Sequence, residues 1–323
     1  MKAAILFGQG EAPHYADVCE PVPQNDREVL VSVKAVALKH IDKSQAKGTH
    51  YSTEGNSPAA NVIGGDGVCL LPDGTRIYAI GASGMAAERA TIMVNTIVPV
   101  PTMLDDDTAA ALPNAIFGSA MAILFRGGME HGDTVLVNGA TGFTGRLAVQ
   151  LARYYGAGRI IVTGRNAQSL HELRTLGADE VLSLHQTDTE IIRQLTRIHH
   201  TTPINMVIDY LWGHTAELIL HSIKGKGQVS PRTRFVSVGA MTGDVVQLSS
   251  AILRSIDLHL TGSGLGSWTH HQMEILFSEI LPEMFRLTAE GKLKVGTIPI
   301  ALADIEKVWE VNVSDGKRLV IRI

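Results

Sequence analysis

At 323 residues the chain exceeds the size at which one hydrophobic core usually stops growing, so two domains sharing a cleft are expected. With 45% apolar and 19% charged residues it has the composition of an ordinary soluble globular protein, and its net charge of -4 supplies no basic field of the kind nucleic-acid binding needs. The only cysteines, Cys19 and Cys69, rule out a disulfide framework or a four-cysteine zinc lobe and point to a reducing cytoplasm.

The opening "MKAAILFGQGEAP" lacks an apolar core followed by a small-residue cleavage site, so no export signal is expected. Up to about residue 105 short apolar runs such as "EVLVSVKAVAL" alternate with the turn signals "PQND" and "PDGT", which reads as a β-rich domain. The uncharged run "TAAALPNAIFGSAMAILF", residues 108 to 125, approaches membrane-spanning length. Pro113, Asn114, Gly118 and its alanine content read instead as a loop leading into a buried helix.

Beyond it, strands alternate with helices. "TVLVN" is followed by a helix with Leu147, Leu151 and Tyr154 on one face, stopped by Gly156. The strand "RIIVT" is followed by a helix with Leu170, Leu173 and Leu176, stopped by Gly177. "NMVID", "RFVSVG" and "LHLTG" are three further strands, with the helix "TAELILHSI" between the first two. Buried apolar strands with crossover helices predict an α/β fold, a doubly wound parallel sheet over residues 111–262. The closing "GKRLVIRI" reads as a strand, which makes the β-rich domain discontinuous: residues 1–110, completed by 263–323.

Between the strand "TVLVN" and its helix lies the turn "GATGFTG", with Gly139, Ala140, Thr141, Gly142, Phe143, Thr144 and Gly145. A tight glycine turn brings backbone amides at a helix N-terminus close to a pyrophosphate, whose charge the helix dipole favours. The bland alternative, a strand-helix turn with chance glycines, does not account for strand, turn, helix and second strand in order. About 20 residues past the turn an NAD site expects an acid, whereas this chain has Arg165, followed by Asn166. A guanidinium there can hold a 2′-phosphate in bidentate fashion, so NADPH is the expected cofactor; the competing reading is a solvated arginine at a helix start. Ligands of such sheets sit at the carboxyl ends of the strands, which adds Gly239, Gly262 and Ser263 as candidate cofactor contacts.

With these residues in hand, the chain resembles the medium-chain dehydrogenase/reductase superfamily, and within it the zinc-independent quinone oxidoreductase (zeta-crystallin-like) branch. "EVLVSVKAVAL", "IGGDGV", "AALPNAIFGSA", "GDTVLVNGATGFTGRLAVQLARYYGA", "LGAD", "VID" and "DGKRLV" fall in the family's order. The resemblance implies a GroES-like β-rich domain, a Rossmann domain, a cleft between them and a homodimer. It also places Ser119 beside the cofactor, where the family generally has threonine. Leu184 stands where the family often has a tyrosine against the adenosine, which leaves more weight on Arg165.

Zinc members of this superfamily use a cysteine three residues before an Asp, and a Gly-His-Glu motif. Here the first position is Lys39, before Asp42, and the His-Glu pair is replaced by Gly65 and Asp66. Soft and imidazole ligands are therefore missing, and no metal is expected. The adjacent histidines His199-His200 and His270-His271 point away from each other on regular elements and read as surface or cap residues.

Without a Lewis acid, acceptors that need little polarisation are favoured: a quinone or an α,β-unsaturated carbonyl compound. Candidate catalytic groups are Lys39, where the family usually has Asn, Tyr51, which resembles the family's substrate-cleft tyrosine, and Asp42. Lys39 also fits a snorkelling surface lysine, and Tyr51 a packed loop aromatic. Two alternatives stay open: a zinc-free ketone or aldehyde reductase, and an NADPH-binding sensor or structural protein with little turnover. No nucleic-acid or membrane partner is expected.

Overall fold

The computed structural model describes residues 1–53, 61–313 and 315–323 and divides the chain into two compact units, 1–113 with 277–323 and 114–276. The first unit is built on a seven-stranded sheet. Its strands run in the order Thr297–Ala301, Arg318–Arg322, Glu28–Ala37, Asp66–Leu70, Arg76–Ile80 and Val98–Pro99, with Arg89–Met93 pairing separately with Glu28–Ala37. Only the first pair is parallel. A three-stranded sheet (His14–Asp17, Lys2–Leu6, Asn61–Val62) accompanies it.

In the strand Glu28–Ala37 the alternation buries Val31 and Val33 and leaves Lys34 exposed. A register shift between Val33 and Ala35 then breaks the period, and Ala35, Val36 and Ala37 are all buried. Such a bulge re-aims the end of a strand. Here it leads directly into Leu38 and Lys39 and the helix α1 (His40–Ala46).

The apolar run after residue 105 differs from expectation. Residues read as a loop are helical: α2 (Asp106–Met121) contains Pro113 and continues into a π-turn over Ala122–Arg126. Proline lacks the amide that would reach back to the carbonyl of Ala109, so it interrupts the hydrogen-bond ladder without ending a helix whose flanks are buried. This helix is long and apolar enough to cross a membrane by length and composition, but 72% of its apolar window is buried within the protein. Both unit boundaries fall where helical bonding is disturbed, one at Pro113 and the other at the π-turn Leu276–Ile280. The second lies later than the sequence-based limit of 262, because Ser263 and Ser267 remain bonded to Trp268 and Arg126 of the second unit.

That unit is a parallel six-stranded sheet: β1 (Thr134–Asn138), β2 (Arg159–Gly164), β3 (Glu180–Ser183), β4 (Met206–Asp209), β5 (Thr233–Ser237) and β6 (Leu258–Gly262). Its spatial order is β3-β2-β1-β4-β5-β6, the Rossmann order. The central strands β1, β2 and β4 are almost wholly buried, as continuous apolar runs require of a sheet covered on both faces, whereas the edge strand β6 is largely exposed. The helix α3 (Phe143–Tyr154) packs Leu147 and Leu151 fully inside, whereas Tyr154, in its last turn, is 47% exposed and stacks edge-on with Tyr155. Gly156 and Gly177 end their helical segments with φ of 97° and 114°, a conformation that only glycine adopts at little cost.

Candidate functional site

Three of the central strands carry a polar residue at the same level of their carboxyl ends: Thr163 of β2, one residue before its last, Asn138 of β1 and Asp209 of β4. All three are fully buried and bonded side by side, Thr163 Oγ1 donating to Asn138 Oδ1 (2.6 Å) and Asn138 Nδ2 to Asp209 Oδ1 (2.7 Å). The row supports the glycine turn directly, because Gly139 N–H donates to Thr163 Oγ1 (3.1 Å). Asp209 also accepts the amides of Leu211 (2.9 Å) and Trp212 (3.2 Å). Burial pushes its carboxyl up, and these donors work against that shift. They hold Trp212 at φ 56°, in the left-handed region, with Gly213 following at φ 55°. The Leu211 side chain in turn lies over Gly139, where an added Cβ would come within 2.8 Å of it.

The turn itself has the form a phosphate cradle needs. Gly139 sits at φ 83°, and Gly145 packs so tightly that a Cβ would meet Ala140 Cα and the Gly139 carbonyl oxygen at 2.6 Å. Gly142 is the N-cap of α3, with no side-chain cap and open space where its Cβ would stand. A twelve-residue helix therefore points its positive end past a bare backbone, with Ala140, Thr141, Phe143 and Thr144 completing the loop. These residues fit a dinucleotide pyrophosphate.

Arg165 follows β2 immediately, is exposed, and makes no hydrogen bond or ion pair among the described residues. Asn166 caps α4 (Ala167–Leu173), its side chain accepting from Ser169 N–H (2.8 Å). That bond fixes the helix start and leaves Arg165 at the tip of the strand. Sequence reasoning passed over Arg146, which reaches the Thr141 carbonyl (3.3 Å) from within α3 but is neutralised by Glu172 (2.6 Å).

Ser119 is fully buried rather than presented to solvent. It donates to the Thr144 carbonyl (3.3 Å) and so accepts from the hydroxyl of Tyr210 (2.9 Å), which ties α2 to the first turn of α3. Gly239 follows β5, and a Cβ there would crowd the Tyr210 carbonyl at 2.9 Å. Gly262 is exposed at the end of β6, its carbonyl accepting from Arg126 Nε (2.7 Å), while Ser263 is buried and accepts from Trp268 Nε1 (3.1 Å).

In the first unit the structure gathers residues that sequence reasoning placed separately. Lys39 is 4% exposed, so it is not a snorkelling surface lysine. It bonds to Asp66 Oδ1 and lies 3.8 Å from Asp42 Oδ2. Asp42 Oδ2 also accepts the Lys39 amide (2.7 Å) and so caps α1, and Asp66 Oδ2 accepts from the Tyr78 hydroxyl (2.6 Å). Burial opposes the charge on Lys39, but Asp42 and Asp66 outweigh it and raise its pKa above the ordinary lysine value. Arg318, buried beside the same two carboxylates, is lowered by burial to about 10. Tyr78 is pushed well up by burial and by Asp66. Tyr51 stands apart: it is 60% exposed in a turn, its ring 4.2 Å from that of His50, and its hydroxyl has no partner among the described residues.

Zinc does not fit this donor set. Where the resemblance implies a zinc-ligating thiolate the chain has an ammonium, and Gly65 leaves open space around its Cβ position. No group of three or more His, Cys, Asp or Glu able to hold a metal occurs among the described residues. His199 accepts the Ile204 amide (3.1 Å), and His270 and His271 are exposed at the start of their helix.

A β-rich unit interrupted by a Rossmann unit with a bare glycine turn is the architecture of two-domain nucleotide-dependent dehydrogenases. Residues 144–282 match the family model described as zinc-binding dehydrogenase, a stretch that includes neither Lys39 nor Asp66. The chain is 24% identical to the "Probable NADPH-dependent quinone reductase tdiC" of Emericella nidulans, covering 99% of both chains. It is 26% identical to the acryloyl-coenzyme A reductase of Metallosphaera sedula, covering 96% of both. The quinone oxidoreductase of Thermus thermophilus, solved also with NADPH, superposes with a TM-score of 0.76 over 100% of both chains at 24% identity. Over residues 144–282 the chain is similar to zinc-binding dehydrogenases, and its fold is that of the solved quinone oxidoreductase.

Proposed function

We propose that the chain is an NADPH-dependent oxidoreductase that transfers hydride to a quinone or an α,β-unsaturated carbonyl compound without zinc. The cofactor follows from the relatives named above together with Arg165 at the tip of β2. The observation that carries the substrate class is the Lys39–Asp66 pair: with an ammonium in place of a thiolate there is no Lewis acid to activate an ordinary ketone. A quinone, whose reduction restores aromaticity, or a conjugated alkene needs less polarisation. The quinone reductase and acryloyl-coenzyme A reductase names among the relatives support both halves of this class.

When bound, NADPH supplies the hydride. The bare turn at Gly139, Gly142 and Gly145 takes the pyrophosphate, and Arg165 takes the 2′-phosphate. Thr163, Asn138 and Asp209 hold the turn in place, and Ser119 and Tyr210 brace the start of α3. Of the three catalytic candidates, Lys39 and Asp42 have their charges engaged with each other and with Asp66. Tyr51, with its hydroxyl exposed, is the proton donor to the reduced oxygen. A cytoplasmic homodimer completes the proposal.

The test is oxidation of NADPH and NADH against a benzoquinone, a naphthoquinone, a linear enone, an enal and a saturated ketone, with and without chelator. NADPH-preferring, chelator-insensitive turnover of quinone or enone is expected. Turnover of the saturated ketone alone selects the carbonyl reductase reading, and cofactor binding without turnover selects a sensor or structural protein.

A further inference from the structure

We infer that the Thr141 hydroxyl is a second ligand of the cofactor's 2′-phosphate, set beside Arg165 by the absence of a side chain at Gly164. The inference rests on the NADPH reading above and deepens it from one residue to a built specificity element. The glycine turn and the end of β2 are joined residue by residue. Gly139 N–H donates to Thr163 Oγ1 (3.1 Å), and Ala140 N–H donates to the Thr163 carbonyl (2.9 Å). Thr141 continues the series with its side chain. A Cβ on Gly164 would lie 2.4 Å from Thr141 Cγ2 and 3.2 Å from its Oγ1, so the threonine fills the place of a side chain at the strand end. Gly164 has no left-handed φ, so space and not backbone conformation is what calls for glycine here.

This packing aims the hydroxyl at a ligand. Threonine is branched at Cβ, and with its methyl pressed against Gly164 its χ1 is held. The Thr141 carbonyl accepts from Arg146, but Oγ1 has no hydrogen-bond partner among the described residues, and on a half-buried residue it is not sealed from solvent. The residue after Gly164 is Arg165, exposed and likewise unpartnered among the described residues. A hydroxyl donor and a guanidinium thus flank one backbone position, at the strand end where sheets of this kind present the 2′-oxygen of the adenosine ribose. The carboxylate that approaches the turn is Glu172, and Arg146 (2.6 Å) and Gln168 (3.1 Å) already engage it. Two donors and no free acid suit a phosphate dianion better than a ribose hydroxyl.

The experiment uses the full-length wild type, Thr141→Val, Thr141→Ser, Gly164→Ala and the double variant Gly164→Ala/Thr141→Ser. Adenosine 2′,5′-bisphosphate and adenosine 5′-monophosphate, which differ only in the 2′-phosphate, are titrated by calorimetry. NADPH and NADH are titrated by nicotinamide fluorescence, and thermal unfolding is recorded for each variant. Thr141→Val exchanges the hydroxyl for a methyl of similar size and should unfold as the wild type does. It should bind the bisphosphate and NADPH about tenfold more weakly, the lower end of what a hydrogen bond to a charged group contributes. Its binding of the monophosphate and NADH should be unchanged. Thr141→Ser keeps the hydroxyl and should keep most of the preference. Gly164→Ala displaces the hydroxyl without altering Thr141, and should lower both the melting temperature and the preference for the 2′-phosphate. The double variant removes the obstructing methyl and should recover the melting temperature.

A Thr141→Val variant that keeps the wild-type preference overturns the inference. So does one that loses the bisphosphate and the monophosphate alike, which places Thr141 on the 5′-phosphate. In both cases a wild type that prefers NADPH leaves the proposed cofactor standing. A wild type with no preference for NADPH or for the bisphosphate refutes the cofactor reading itself, and this inference with it.

Discussion

Replacing Arg165 by alanine tests the cofactor assignment at one side chain. The guanidinium is exposed at the end of β2 and has no partner among the described residues, so its removal orphans nothing and should leave the melting temperature unchanged. A hydrogen bond to a charged group contributes about 1.5–3 kcal/mol, and solvent at an exposed site puts Arg165 at the lower end of that range. At ~1.4 kcal/mol per factor of ten, NADPH should bind roughly ten- to thirtyfold more weakly. NADH has no 2′-phosphate and should bind as before. The assay is cofactor titration by nicotinamide fluorescence, with KM for both cofactors at two salt concentrations. The wild-type preference should shrink as salt rises, and the variant should show little of either effect. An equal loss for NADH and NADPH, or no loss for either, would refute the assignment of the 2′-phosphate to Arg165.

Two glycines of the turn should fail for different reasons. Gly145→Ala drives a methyl into backbone at 2.6 Å and should cost about 1–3 kcal/mol of stability, read by thermal unfolding, as well as NADPH affinity. Gly142→Ala has room and an ordinary φ of -77°, so it should fold as the wild type does while binding NADPH more weakly in the same titration. Asp209→Ala strips a partner from Asn138 and from the amides of Leu211 and Trp212. At about 1–3 kcal/mol for each buried donor left unsatisfied, denaturant unfolding should show a loss of several kcal/mol. On the acid side, bonds from Arg193 and Gln194 hold the Glu190 carboxyl at about 2, below its ordinary value of 4.5. Its contribution is therefore present above about pH 4.5 and lost as pH falls toward about 2, and Glu190→Gln should remove that portion of the acid transition in melting curves across this range.

Much of the second unit is legible from local chemistry. The strands and helices of residues 134–222 and their glycine stops depend on periodicity and φ, which a short window contains. The row Thr163, Asn138 and Asp209 was also within reach, since each is the one polar residue closing an apolar strand ("IIVT", "VLVN", "MVID"). Pro113 misled because its local cost in a helix is set against burial of the flanking turns, a tertiary quantity. Lys39 and Asp66 lie 27 residues apart on different elements, so their union depends on sheet register, which no local pattern carries. The burial of Ser119 likewise follows from Tyr210, 91 residues away.

The polar row beneath the turn also has a consequence for how the protein breathes. An amide in a surface turn ordinarily exchanges with solvent through fluctuations of a few residues. The Gly139 amide is instead anchored to a side chain of the neighbouring strand, which is linked in sequence to the next two strands across the sheet. Its protection against deuterium should match that of the central strand amides, so that the mouth of the proposed nucleotide site opens only as part of the same cooperative unit as the sheet below it.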